Sequence, residues 1–164
     1  MFCFQCEQTS KGTGCTDFAV CGKTESTAIL QDLLVHAAKG IAQFSHRARR
    51  FGARDAELDR FLLEALFETV TNVNFDDAAI EKTIRRATVL RERARTLYQN
   101  AAHKTGQTVA EIRGPATWSP ARTTEALVAQ GKAVSSSSMT RKFTSPHLRL
   151  SASSFSTDGI SSAR

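Results

Sequence analysis

Cys3, Cys6, Cys15 and Cys21 all fall within the first 21 residues of a 164-residue chain, and the other 143 residues contain no cysteine. The spacing C-x2-C-x8-C-x5-C gathers four soft thiolates, a donor set able to wrap a single metal centre. Such a site needs two ligands from one tight turn and others that fold back onto it. Cys3 and Cys6 meet the first condition, while Gly12, Gly14 and Gly22 give the returning loop the backbone freedom that close approach requires. Backbone N–H groups in a turn of this kind can donate to sulfur and tune a reduction potential. Phe2, Phe4, Phe18 and Val20 are candidates for an apolar wall that keeps water off the centre.

Three chemistries compete for these thiolates. Structural zinc sites with four cysteines usually use two tight Cys-x2-Cys knuckles, whereas Cys15 and Cys21 are separated by five residues, so an iron–sulfur centre is favoured. Zinc, and a pair of disulfides, remain as alternatives. Thioredoxin-like use of Cys3-x2-Cys6 is weaker, because no strand precedes it. Elsewhere the sequence shows no Ser/His/Asp arrangement, phosphate-cradling loop or paired carboxylate motif. His36, His46 and His103 are scattered singly and read as surface or satisfied core residues, and Trp118 as a packing anchor.

The elements that must position the cysteines are helical. Thr24 can cap a first helix carrying Leu30, Leu33, Leu34, Ala37, Ile41 and Phe44 at helical spacing, with Gly52 as its stop. A second pattern starts at about Asp55, places Leu58, Phe61, Leu62, Ala65, Leu66 and Val73 on one side, and breaks at Asn72 and Asn74. A third begins near Asp76, puts Ile80, Ile84, Ala87, Leu90, Ala94, Leu97 and Ala101 on one stripe, and ends around Gly106. Gly114-Pro115 and Ser119-Pro120 bracket Trp118 in a segment that cannot be one continuous helix. A short helix is predicted from Thr123 to Gln130. From Ser135 onward, 11 of 30 residues are serine and apolar periodicity fails, which predicts a disordered tail.

The fold class expected is therefore all-α. It comprises a cysteine-rich loop over 1–23, a three-helix bundle over 24–106, an irregular segment with a short helix over 107–134, and the Ser-rich tail over 135–164. Cys21 lies just before the first helix, so the positive end of that helix would face the anionic site, with Glu25 opposing part of the effect.

The net charge of +6 divides evenly: residues 1–134 carry 18 Lys/Arg against 15 Asp/Glu, and residues 135–164 carry four against one. Basic residues alternate with acids along the helices, a solvated face rather than a phosphate-binding patch, so nucleic acid is disfavoured as a partner. No apolar run approaches the roughly 20 residues of a membrane-spanning helix, and residues 1–23 lack the basic and apolar regions of a secretory signal. The expected setting is the cytoplasm, without a membrane partner, where thiols stay reduced.

The residues around the cysteines add a resemblance. Met1-Phe2-Cys3-Phe4-Gln5-Cys6-Glu7-Gln8-Thr9, then Lys11-Gly12-Thr13-Gly14-Cys15-Thr16, Val20-Cys21-Gly22-Lys23, Leu30-Gln31-Asp32-Leu33-Leu34 and Lys39-Gly40-Ile41 closely resemble the start of the hybrid cluster protein family. This family is also called prismane protein or hydroxylamine reductase. Arg113-Gly114-Pro115-Ala116-Thr117-Trp118 and Leu127-Val128-Ala129-Gln130-Gly131 look like its continuation, so the resemblance spans about residues 1–134.

It implies an amino-terminal helical domain with Cys3, Cys6, Cys15 and Cys21 as ligands of one [4Fe–4S] cluster, the compact spacing distinguishing it from longer-spaced [2Fe–2S] relatives. It also implies a redox donor protein as partner. Full-length relatives add two α/β domains that hold a second, hybrid iron–sulfur–oxygen cluster, where hydroxylamine is reduced to ammonia; nitric oxide reduction is also associated with the family. This chain offers no later cysteine for such a cluster, and the Ser-rich tail reads as a frameshifted or shortened frame, so hydroxylamine is expected as substrate only where the missing domains are present. The competing class is a structural four-cysteine zinc module whose basic tail binds nucleic acid or a protein partner.

Overall fold

The computed structural model describes residues 2, 3, 5, 6 and 14–144, with side chains as far as Val134. Among the described residues the fold is all-α: four α-helices follow the cysteine segment, and the only β-pairing is an isolated bridge between Cys3 and Cys15.

Helix α1, Glu25–Arg50, is the axis of the molecule. Thr24 caps it as predicted, its side chain accepting from the Thr27 N–H at 3.2 Å, and Gly52 ends it with a φ of +80°, where a side chain would be strained. One face of α1 buries Leu30, Leu33, Leu34, Ala37, Ile41 and Phe44. Its most extensive packing is against α3, Asp77–Lys104, and it also contacts every other helix. From α3 come Ile80, Ile84, Ala87, Leu90, Ala94 and Ala101, while Leu97 is only partly buried and Tyr98 fills the adjoining core position.

Helix α2, Ala56–Glu68, buries Leu58, Phe61 and Ala65 in the core, with Leu62 partly buried against it. Two residues predicted for its apolar side depart from it: Leu66 and Val73 are exposed. The cause is geometric. The buried positions run 58, 61, 65, and Leu66 lies about 100° around the helix from Ala65. Val73 lies beyond the end of α2, in a turn where Asn72 takes a φ of 65°, a conformation asparagine tolerates better than most residues.

Asp55 caps α2, accepting from the Glu57 and Leu58 N–H groups at 2.9 and 3.3 Å, and meets Arg93 of α3 at 2.6 Å. Burial works against ionisation, but Arg93 and the two N–H groups outweigh it and hold the Asp55 carboxyl below the usual carboxylate range. A depressed folded-state value contributes stability above the unfolded value near 3.9, lost as pH falls through the folded one. Asp55→Ala is expected to cost about 1 kcal/mol through loss of the cap. Thermal melts between pH 5 and 2 should show a weaker acid dependence in Asp55→Asn than in the parent; parallel curves would contradict this.

The segment after α3 contains a 3₁₀ turn, Gly114–Thr117, seated on α1. Gly40 permits the seat: a Cβ there would lie 2.4 Å from the Pro115 carbonyl oxygen and 3.0 Å from its carbon. A helical Gly→Ala change ordinarily gains about 0.5–1 kcal/mol. Here overpacking against backbone, worth about 1–3 kcal/mol, should win, so Gly40→Ala is expected to lower the urea midpoint; a raised midpoint would refute the close approach. Trp118 follows as the predicted packing anchor, its ring edge-on to His36 at 5.7 Å.

Helix α4, Thr124–Thr144, is longer than the helix predicted for Thr123–Gln130 and crosses Ser135, so the irregular tail does not begin there. Its first three turns explain why it packs. Leu127 is fully buried, Val128 and Val134 pack against the core, and Gly131 brings the helix so close to α1 that a Cβ would meet Ile29 at 2.4 Å. The rest of the predicted tail, residues 145–164, lies outside the described residues. No helix among the described residues is long and apolar enough to cross a membrane.

Candidate metal centre

The cysteine segment is laid across the amino end of α1. The Phe2 N–H donates to the Cys15 carbonyl at 2.8 Å and the Cys15 N–H to the Cys3 carbonyl at 3.1 Å. This two-bond clasp is the antiparallel bridge, which sets Cys3 and Cys15 on one face. It accounts for the return of the loop that the sequence reading required. Gly22 carries the chain from Cys21 toward α1 with a φ of +85°.

All four cysteines are thiols, none committed to a disulfide. Cys3 is buried, and Cys6, Cys15 and Cys21 are half-buried. Burial pushes the Cys3 thiol above its ordinary value, and the neighbouring Cys15 and Asp32 push the same way; the Gln5 N–H and the Lys23 ammonium oppose them. The backbone donor expected for a thiolate turn is therefore present, at Gln5. The apolar wall is not as predicted. Phe18 and Val20 are 80% and 73% exposed, because residues 16–20 form an outer bend whose only buried member is Ala19. Phe2 is half-buried, and Phe4 lies outside the described residues.

One buried charged residue beside the cysteine turn escapes sequence reasoning. Lys23 is only 2% exposed. Its Nζ donates to Gln5 Oε1 at 2.8 Å and to Gln31 Oε1, and sits 5.9 Å from the centre of the Phe75 ring. Gln5 in turn donates from Nε2 to Asp32 at 3.3 Å. A lysine just ahead of a helix reads as solvated, and its acceptors lie 18 residues before and eight after it, so no local pattern reveals it.

His36 stands apart from the cysteines, on the face of α1 against Trp118, where burial, with Lys39 adding, lowers its imidazole pKa. Among the described residues no three His, Cys, Asp or Glu side chains gather around a point that a single metal ion could fill. A mononuclear zinc site draws its sulfurs to about 2.3 Å from one point. A sulfide-bridged cluster fills the space between its thiolates and demands less convergence. The donor set, four cysteine sulfurs with no imidazole or carboxylate among them, fits thiolate-held iron–sulfur chemistry.

Comparison with known proteins agrees with this chemistry. The pattern of the Prismane/CO dehydrogenase family matches residues 1–153, past the point near residue 134 where the resemblance read from the sequence ends. A hydroxylamine reductase of Rhodospirillum rubrum is 46% identical over 135 residues, 82% of this chain and 25% of the relative. One from Acidiphilium cryptum is 47% identical over 140 residues, 82% of this chain and 25% of the relative. A third, from Geobacter sulfurreducens, is 44% identical over 133 residues, covering 80% and 24%. The chain spans about a quarter of the length of these curated relatives.

Proposed function

Because this chain belongs to the Prismane/CO dehydrogenase family, we propose that Cys3, Cys6, Cys15 and Cys21 hold one [4Fe–4S] cluster that serves electron transfer. The observation that supports the reading is the confinement of all four cysteines to one 21-residue segment, two of them, Cys3 and Cys15, joined by the backbone bridge and none in a disulfide. Bound there, such a cluster supplies a one-electron couple whose potential depends on its net charge, its sulfur hydrogen bonds and its exposure to water.

The chain's own residues set those three quantities. Cys3 is buried, and the Gln5 N–H beside it disperses sulfur charge. Cys6, Cys15 and Cys21 remain half-buried, which leaves the site within reach of a redox donor protein at the surface. Hydroxylamine reduction, the activity in the relatives' names, belongs in this proposal to a protein that also carries a second, hybrid cluster. These 164 residues offer no cysteine after Cys21 to build one, so electron delivery is the role assigned to this segment, in a cytoplasmic setting.

Metal and sulfide analysis of anaerobically purified protein tests the reading. About four iron and four acid-labile sulfide per chain are expected from the cluster's composition. A colourless protein with one zinc and no sulfide would establish the zinc module instead.

A further inference from the structure

We propose that Lys23 is a positioning and tuning residue for the thiolate site: it fixes the Cys3–Cys6 turn through Gln5, and its buried charge favours the reduced, more negative form of the centre the cysteines hold. The inference rests on the cluster reading above. It begins from a cost. An ammonium group removed from water is expensive unless negative charge compensates it, yet Lys23 is 2% exposed and both of its hydrogen-bond acceptors are neutral amide oxygens. The Asp32 carboxylate, held on the other end of the Gln5 amide, and the Phe75 ring offset part of that cost; four thiolates ligating iron form a net anionic centre, felt by Lys23 through Cys3, that adds to the compensation.

The connections on either side of Lys23 are rigid. Gln5 lies between Cys3 and Cys6; its side chain accepts from Lys23 and donates to Asp32, so both ends of its amide are held. With the side chain fixed, the Gln5 N–H is held toward Cys3. On the scaffold side, Gln31 is fully buried, accepts from Lys23, and donates from Nε2 to the Asn74 carbonyl at 2.7 Å and the Glu68 carbonyl at 3.3 Å. A continuous polar chain thus runs from the cysteine turn through Lys23 and α1 to the joint between α2 and α3. Lys23, whose ammonium acts on Cys3, thus adds a side-chain charge to the helix-end dipole the sequence suggests.

A redox titration of the anaerobically loaded protein, monitored by electron paramagnetic resonance, separates charge from packing. In Lys23→Gln, which keeps a polar side chain but no charge, the ratio of reduced to oxidised centre at a fixed potential should fall about tenfold, a midpoint lowered by ~59 mV for one electron. Lys23→Arg, which keeps the charge, should stay near the parent. An unchanged midpoint in fully loaded Lys23→Gln, or an equal fall in Lys23→Arg, overturns the inference. If Lys23→Gln takes up no iron while Lys23→Arg does, charge is required for assembly and the inference holds; if both fail, it falls. A parent protein that binds no iron defeats the cluster reading itself, and the inference with it.

Discussion

Truncating Phe61 to alanine is expected to destabilise the protein by about 3–5 kcal/mol, the range for removing a large aromatic side chain from a closed core. Phe61 is fully buried and is the largest side chain in that state. Helix α2 spans 13 residues and anchors itself through the buried Leu58, Phe61 and Ala65 with the partly buried Leu62 beside them, and packs little on α3. No other aromatic of α2 can take over, since Phe67 is 64% exposed. The Arg86 guanidinium, 5.3 Å from the ring centre, loses its aromatic partner as well. Denaturant unfolding followed by circular dichroism measures the cost. A loss below about 1 kcal/mol would mean that α2 is not held as described, whereas Phe61→Leu should recover much of the stability by conserving apolar volume.

The second large effect concerns the metal centre. Replacing Cys15 with serine should abolish a stable iron–sulfur centre, because a hard hydroxyl replaces one of four soft ligands while the backbone clasp to Cys3, made only by main-chain groups, is kept. The helices should survive the change. The continuous apolar core is built by α1, α2, α3, the 109–118 segment and the start of α4, and contains no cysteine. Far-ultraviolet circular dichroism of Cys15→Ser should therefore resemble that of the parent while iron content and visible absorbance fall to background. Retained iron would remove Cys15 from the ligand set; collapsed helicity would show that the centre, and not the core, holds the bundle together.

Much of this architecture is legible in the sequence because the signals are local. Thr24, Asp55 and Asp76 cap the first three helices through their own side chains, and Gly52 and Gly106 end two of them with positive φ. The stripes of α1 and α3 follow the helical period because both pack along their lengths. The misses are tertiary. Leu66 and Val73 carry the right residue type, but α2 packs on one narrow side and ends before Val73. Phe18 and Val20 look like a wall only if the bend faces inward, and it faces out. Gly131 marks α4 as packed rather than ending, through a close approach to Ile29 that no spacing reveals. The candidate site divides the same way: the four cysteines are plain in their types and spacing, whereas the Cys3–Cys15 clasp and the buried Lys23 depend on contacts between distant residues.

The measurement that bears most directly on the central claim is electron paramagnetic resonance of the anaerobically purified protein before and after reduction with dithionite. A [4Fe–4S] centre on Cys3, Cys6, Cys15 and Cys21 predicts no signal from the oxidised protein. Reduction should produce a fast-relaxing signal integrating to about one spin per chain, absent from Cys15→Ser. A reduced protein with no signal and one bound zinc would contradict the account.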